Sequence, residues 1–143
     1  MSRVYTGGTF DLFHNGHVRL LARCRDIAGP DGYVVVSLNT DEFVYRYKKE
    51  FPVYNECDRY NILSACRYVD KVIFNSGCED STPAITVAEP DYIVIGSDWA
   101  QRDYHKQMGF TQSWLDERGI GLVYVPYTQG ISTTATKKKI SNG

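Results

Sequence analysis

Tyr33-Val34-Val35-Val36-Ser37-Leu38 carries no charge and is rich in β-branched residues. A strand with one face in water alternates apolar and polar residues. A continuous apolar run of this kind fits a strand covered on both faces, as in a parallel sheet flanked by helices. Gly29-Pro30-Asp31-Gly32 precedes it and stops whatever helix comes before. That helix is predicted to begin near Gly16, with Val18, Leu20, Leu21, Cys24 and Ile27 on its buried stripe. Before it lies a short strand, Arg3 to Thr6, closed by Gly7-Gly8.

The same alternation continues toward the C-terminus. Tyr45 to Asn55 lacks clean periodicity, holds Arg46, Lys48 and Lys49, and reads as an exposed loop. A helix is predicted from about Cys57 to Tyr68, with Ile62, Leu63 and Cys66 inward. Lys71 to Phe74 is a third strand. Ser81 or Thr82 can cap a short helix through Val87, with Pro83 in its first turn. Tyr92 to Ile95 is a fourth strand, the stretch from Tyr104 to Arg118 contains a helix, and Leu122 to Val125 is a fifth strand. Ser132 can cap a last helix toward Ile140. Strands alternating with helices imply parallel pairing through right-handed crossovers. The expected fold is α/β: one doubly wound, Rossmann-like domain over residues 1–143 with a five-stranded parallel sheet.

Composition narrows the function. The net charge is −1, so no surplus positive field exists to drive nucleic-acid or anionic-membrane binding. No apolar run approaches the roughly 20 residues that span a bilayer, and the N-terminus lacks a secretory stretch. A cytoplasmic location is expected by default. Cys24, Cys57, Cys66 and Cys78 form no C-x-x-C pair, which argues for reduced structural thiols and against zinc. Most of the 11 tyrosines read as packing residues beside strands.

Ligands of such sheets sit beyond the carboxyl ends of the strands, where strand order reverses. His14 and His17 follow the first strand, Lys48 and Lys49 the second, Asp98 and Trp99 the fourth, and Ser132 to Thr134 the fifth. His14 and His17 are three apart at a helix start, so both imidazoles can share a face. A helix N-terminus favours anions, which points to phosphate. The competing readings are a metal pair, which lacks an obvious third ligand, or ordinary surface histidines.

Gly8-Thr9-Phe10-Asp11-Leu12-Phe13-His14-Asn15-Gly16-His17 resembles the H-x-G-H signature of the cytidylyltransferase-like nucleotidyltransferases. Gly130-Ile131-Ser132-Thr133-Thr134 resembles their second signature. Asn39 to Phe43, Cys66 to Asp70 and Gly96 to Trp99 look like segments of the small bacterial glycerol-3-phosphate cytidylyltransferases. The resemblance implies attack of a phosphate or alcohol oxygen on the α-phosphorus of a nucleoside triphosphate, with pyrophosphate leaving. It implies that His14 and His17 contact the triphosphate and stabilise the transition state. Thr9, Phe10, Asp98, Thr128, Ser132 and Thr133 would bind nucleotide, and Arg59, Arg67 and Trp99 the acceptor. Asp11 would orient the site or help hold Mg²⁺.

Lys48 and Lys49 stand near the family's lysine-bearing loop, where either could close over phosphates; a solvated charge run is the alternative. Arg59 and Arg67, eight residues apart, are expected on nearly one helix face. Either could instead pair with Asp58 or Asp70. Asp98 and Trp99 could also be turn and packing residues, and Ser132 a simple N-cap. The chain departs from the family at Tyr127, where an arginine is usual, and Arg102 or Lys106 could replace that cation. CTP with a small phospho-alcohol such as glycerol 3-phosphate is favoured. The alternatives are ATP with a sugar phosphate or other phosphorylated molecule, and a non-catalytic nucleotide sensor. The resemblance also implies a homodimer.

Overall fold

The computed structural model describes residues 2–75, 82–96 and 111–125. Five strands, β1 (Arg3–Gly8), β2 (Tyr33–Asn39), β3 (Lys71–Asn75), β4 (Tyr92–Gly96) and β5 (Gly121–Val125), form one sheet in the order β3-β2-β1-β4-β5. Every pairing is parallel. The helices are α1 (Asn15–Ala28), α2 (Asp41–Lys48), α3 (Glu56–Ser64), α4 (Thr82–Ala88) and α5 (Gln112–Glu117).

The Tyr33 run behaves as its composition requires. Val34, Val36 and Leu38 pack with Leu21 and Cys24 of α1 and Leu63 of α3. Val35 points to the opposite face, among Ala84, Ile85 and Ala88 of α4 and Leu115 of α5. β1 divides in the same way, Val4 to one side and Tyr5 to the other. This period of two between two helical layers is the physical content of double winding. On α1, Leu21, Cys24 and Ala28 are buried, while Val18, Leu20 and Ile27 are half-buried.

Two expectations are corrected. The stretch from Tyr45 is not a loop at its start, because α2 runs to Lys48. Thr40 caps it by accepting from the Phe43 N–H at 3.2 Å, Asp41 and Glu42 occupy the first turn, and Arg46 pairs with Glu42 one turn back. Among its described side chains Phe43 and Val44 are the buried ones, and two adjacent residues do not register as periodicity. The helix expected to reach Tyr68 ends instead at Ser64, and tight turns through Cys66 and Val69 carry the chain into β3. Arg67 therefore lies beyond the helix, and it shares no helix face with Arg59.

No helix among the described residues is long and apolar enough to cross a membrane. Asp98, Trp99, Arg102, Lys106, Tyr127, Thr128, Ser132, Thr133 and Thr134 lie outside the described residues, as do Cys78, Ser81 and the helix expected after Ser132.

Candidate active site

The sheet opens where its strand order reverses. β1 pairs with β2 through Gly8↔Leu38, but with β4 only at Val4↔Tyr92 and Tyr5↔Ile93. Past Tyr5 the carboxyl ends of β1 and β4 separate. Thr6 Oγ1 donates to the Val94 carbonyl at 2.8 Å at the start of this divergence. Such a crevice is where a doubly wound sheet binds its ligand. The chain leaves β1 directly into it.

The segment from Gly8 to His14 is held in a costly backbone shape. Phe10 and Leu12 have φ of 52° and 49°, the left-handed region that a side chain disfavours. A Cβ at Gly8 would stand 3.2 Å from the Phe10 ring, so the ring would have to give by a few tenths of an ångström. The surroundings impose the shape through Asp11. Its Oδ1 accepts from the Leu12 N–H at 3.1 Å and the Tyr54 N–H at 2.8 Å, and its Oδ2 from the Val53 N–H at 2.7 Å. The Asp11 side chain is thus buried as a clamp between the motif and the loop after α2. Three amide donors on its two oxygens fit the orienting role among the two expected of it. Among the described residues, no group of three or more His, Cys, Asp or Glu side chains could hold a metal ion.

The histidines form a reciprocal cap on α1. His14 is the N-cap, and its Nδ1 accepts from the Gly16 N–H at 3.0 Å. His17 Nδ1 accepts from the His14 N–H at 3.1 Å. The rings stack with centroids 3.8 Å apart. Phe13 and Phe10 pack on His17, at 5.3 and 5.2 Å between centroids. Because each Nδ1 is an acceptor, each neutral imidazole carries its hydrogen on Nε2. Burial first and the neighbouring His14 second push the His17 pKa down to about 3, with Asp11 opposing both. Burial also lowers His14. The pair is therefore neutral at pH 7 and offers two Nε2–H donors beside a helix N-terminus.

A pH dependence of stability follows. The unfolded histidines take up protons below about pH 6.5, whereas folded His17 resists protonation until about pH 3. Stability contributed by the neutral form is full above pH 6.5 and declines as pH falls toward 3. Urea midpoints at pH 7 and pH 5 are expected to differ more for the wild type than for His17→Asn, which has no imidazole to titrate there. An equal difference would contradict the assignment.

The remaining site candidates sort by geometry. Phe10 is 5% exposed, so its ring supports His17 from the core and does not line an open site. Thr9 follows β1, and its hydroxyl accepts from Asn39 Nδ2, at the end of β2, at 3.2 Å. Arg59 is the largest correction. It is 1% exposed and donates to the carbonyls of Tyr54 (3.0 Å), Thr9 (2.9 Å) and Asn39 (2.7 Å) and to Asp41 Oδ1 (2.6 Å). Its guanidinium is a structural hub and is not presented to an acceptor. Arg67 is exposed and donates to the Tyr68 hydroxyl at 2.8 Å; no described contact brings it to the histidines. Lys48 ends α2, and Lys49 is its left-handed C-cap. Both are exposed. They sit at the near end of the loop whose far end, Val53-Tyr54, is bonded to Asp11.

That tether gives a direct prediction. Asp11→Asn replaces one acceptor oxygen by an amide that cannot accept, so at least one of the three N–H bonds is lost. Amide exchange at Val53 and Tyr54 is expected to quicken by about tenfold or more, in line with the loss of a charge-assisted bond. Unchanged exchange at both would remove the tether from the account.

The model of the family described as cytidylyltransferase-like matches residues 5–139. The chain belongs to that family. A glycerol-3-phosphate cytidylyltransferase of Bacillus subtilis (strain 168) is 37% identical over 143 residues, covering 99% of this chain and 98% of that protein. An FAD synthase of Korarchaeum cryptofilum is 36% identical over 106 residues, 73% of this chain and 71% of that protein. Among solved structures, a lipopolysaccharide core biosynthesis protein of Thermoplasma volcanium superposes with a TM-score of 0.69 at 26% identity, over 90% of this chain and 97% of that one. As a member of the family the protein is a nucleotidyltransferase of the cytidylyltransferase type.

The sequence reading missed Asn39 and Asn75, which are 9% and 3% exposed at the carboxyl ends of β2 and β3. An asparagine closing an apolar strand is the signal that could have found them, since a buried amide must bond.

Proposed function

We propose that the protein transfers CMP from CTP to a small phospho-alcohol such as glycerol 3-phosphate and releases pyrophosphate. The observation that carries this reading is the pair of neutral Nε2–H donors at the N-terminus of α1, in the crevice between β1 and β4. The full-length likeness to glycerol-3-phosphate cytidylyltransferases supports the choice of substrates.

In this reading an acceptor phosphate oxygen forms a bond to the α-phosphorus, and the bond from that phosphorus to the bridging oxygen of the leaving pyrophosphate breaks. No covalent enzyme intermediate is needed. His14 and His17 donate hydrogen bonds to phosphate oxygens whose charge rises in the transition state. Lys48 or Lys49 closes over the phosphates from the loop tethered to Asp11. Asp98, Trp99, Thr128, Ser132 and Thr133 complete the nucleotide and acceptor sites by resemblance. Mg²⁺ enters with the triphosphate, whose oxygens supply ligands of the kind it prefers. The second reading is ATP-dependent transfer, and the FAD synthase relative is the observation that favours it.

A pyrophosphate-release matrix tests both. CTP and ATP are crossed with glycerol 3-phosphate, phosphocholine, phosphoethanolamine and sugar phosphates, with Mg²⁺ present. Highest turnover is expected with CTP and glycerol 3-phosphate. Faster turnover with ATP for every acceptor would refute the choice of base.

A further inference from the structure

We propose that Phe13 is a positioning residue: its ring, laid against the His17 imidazole, fixes the plane in which that imidazole presents its Nε2–H to the triphosphate. The proposal rests on the reading of the two histidines as donors to a nucleoside triphosphate.

One hydrogen bond does not orient an imidazole. His17 Nδ1 accepts from the His14 N–H at 3.1 Å, which holds one corner of the ring. The last torsion of a histidine has broad minima, so the plane of the ring is set by what lies against it. Three rings do this here. His14 stacks on His17 with centroids 3.8 Å apart and planes at 22°. Phe13 stacks at 5.3 Å and 25°, and Phe10 meets the imidazole tilted at 57°. Phe10 belongs to the core, whereas Phe13 is half-buried and packs against it.

The place of Phe13 in the chain suits the task. It follows Leu12, whose φ of 49° turns the backbone, and it precedes the N-cap His14. An apolar residue before an N-cap commonly packs on the first turn of the helix and fixes how the chain enters. At this helix start the ring lies on the third helical residue, His17, so the same contact also fixes a donor.

The contact keeps the imidazole dry as well. A protonated His17 would carry hydrogen on both nitrogens and could no longer accept from the His14 N–H. Burial is the main cause that holds its pKa down. His14 on the cap and Asp11 on the preceding loop are the titratable groups that act on it, and the Phe10 and Phe13 rings carry no charge. Removing the Phe13 ring admits water and lets the pKa rise toward the ordinary value of about 6.5.

The test compares Phe13→Ala with Phe13→Leu in the full chain. Nitrogen-15 NMR follows the His17 ring from pH 7 to pH 5, and steady-state kinetics use CTP, glycerol 3-phosphate and Mg²⁺. Wild-type His17 is expected to keep Nε2–H as its only ring hydrogen throughout. In Phe13→Ala it is expected to take up a proton within that range. The kcat of this variant should fall about tenfold to a hundredfold, the cost of misplacing an aimed group, with little change in KM. Phe13→Leu keeps an apolar wall and should recover most of both. Phe13→Val takes the place of the alanine if that variant does not fold. A phenylalanine that only packs would lower the melting temperature and move neither readout. Wild-type His17 resonances, or wild-type kcat, in folded Phe13→Ala would overturn the proposal. No turnover by the wild type with CTP or with ATP refutes the donor reading alone, and the His17 resonances then decide whether Phe13 sets the ring.

Discussion

His17→Asn is expected to lower kcat/KM for nucleotidyl transfer by about 10²- to 10³-fold, the usual cost of removing one donor aimed at developing charge. The substitution separates two jobs that the imidazole performs. Asparagine Oδ1 stands close to where Nδ1 stands, so it can still accept from the His14 N–H and keep the cap of α1. It has nothing in place of Nε2–H. His14→Asn divides the roles in the same way, since asparagine is a favourable N-cap and can still accept from the Gly16 N–H. Both variants should stay folded, with the stack of rings lost but the helix start intact. The double variant should fall little below either single one, because the two donors act on one transition state. Steady-state kinetics beside thermal unfolding checks this. Full activity in a folded variant would mean that the histidines are caps and no more.

The largest stability effect is expected at Arg59. Arg59→Met keeps the stem volume and removes the guanidinium. It strands the carbonyls of Thr9, Asn39 and Tyr54 and leaves Asp41 without its cation. Breaking one side of a buried charged pair costs about 3–5 kcal/mol. The Arg59 side chain is fully buried in the pair and Asp41 is 27% exposed, so the loss belongs in the lower half of that range. Arg59→Lys should recover part of it, since an ammonium cannot span four acceptors spread along the fork. Urea unfolding measures both. A loss below about 1 kcal/mol would place the contact among ordinary surface pairs.

These two positions show what the sequence could and could not convey. The Tyr33 run, the glycines after β1 and the alternation of elements were enough to predict a five-stranded parallel sheet, because burial on two faces leaves a plain mark on composition. The H-x-G-H spacing was enough to place two imidazoles at a helix start. Which nitrogen each presents was not legible, since the tautomer depends on backbone N–H groups that converge only in the folded chain. The resemblance gave Arg59 to the acceptor and Asp11 to orienting the site or holding Mg²⁺. Three dimensions turn both inward, to close the hydrogen-bonding needs of a strained loop. α2 was hidden because its described buried residues, Phe43 and Val44, are adjacent and make no period. Asn39 and Asn75 were hidden because their partnership crosses two strands and 36 positions of sequence.

Transfer of an intact nucleotidyl group is tested most directly by phosphorus NMR of a reaction with CTP, glycerol 3-phosphate and Mg²⁺. The expected spectrum gains inorganic pyrophosphate together with a new pyrophosphate diester, which joins the α-phosphate of CTP to the phosphate of the acceptor. Release of CMP or inorganic phosphate with no diester formed, or an unchanged CTP spectrum with folded protein, would contradict it.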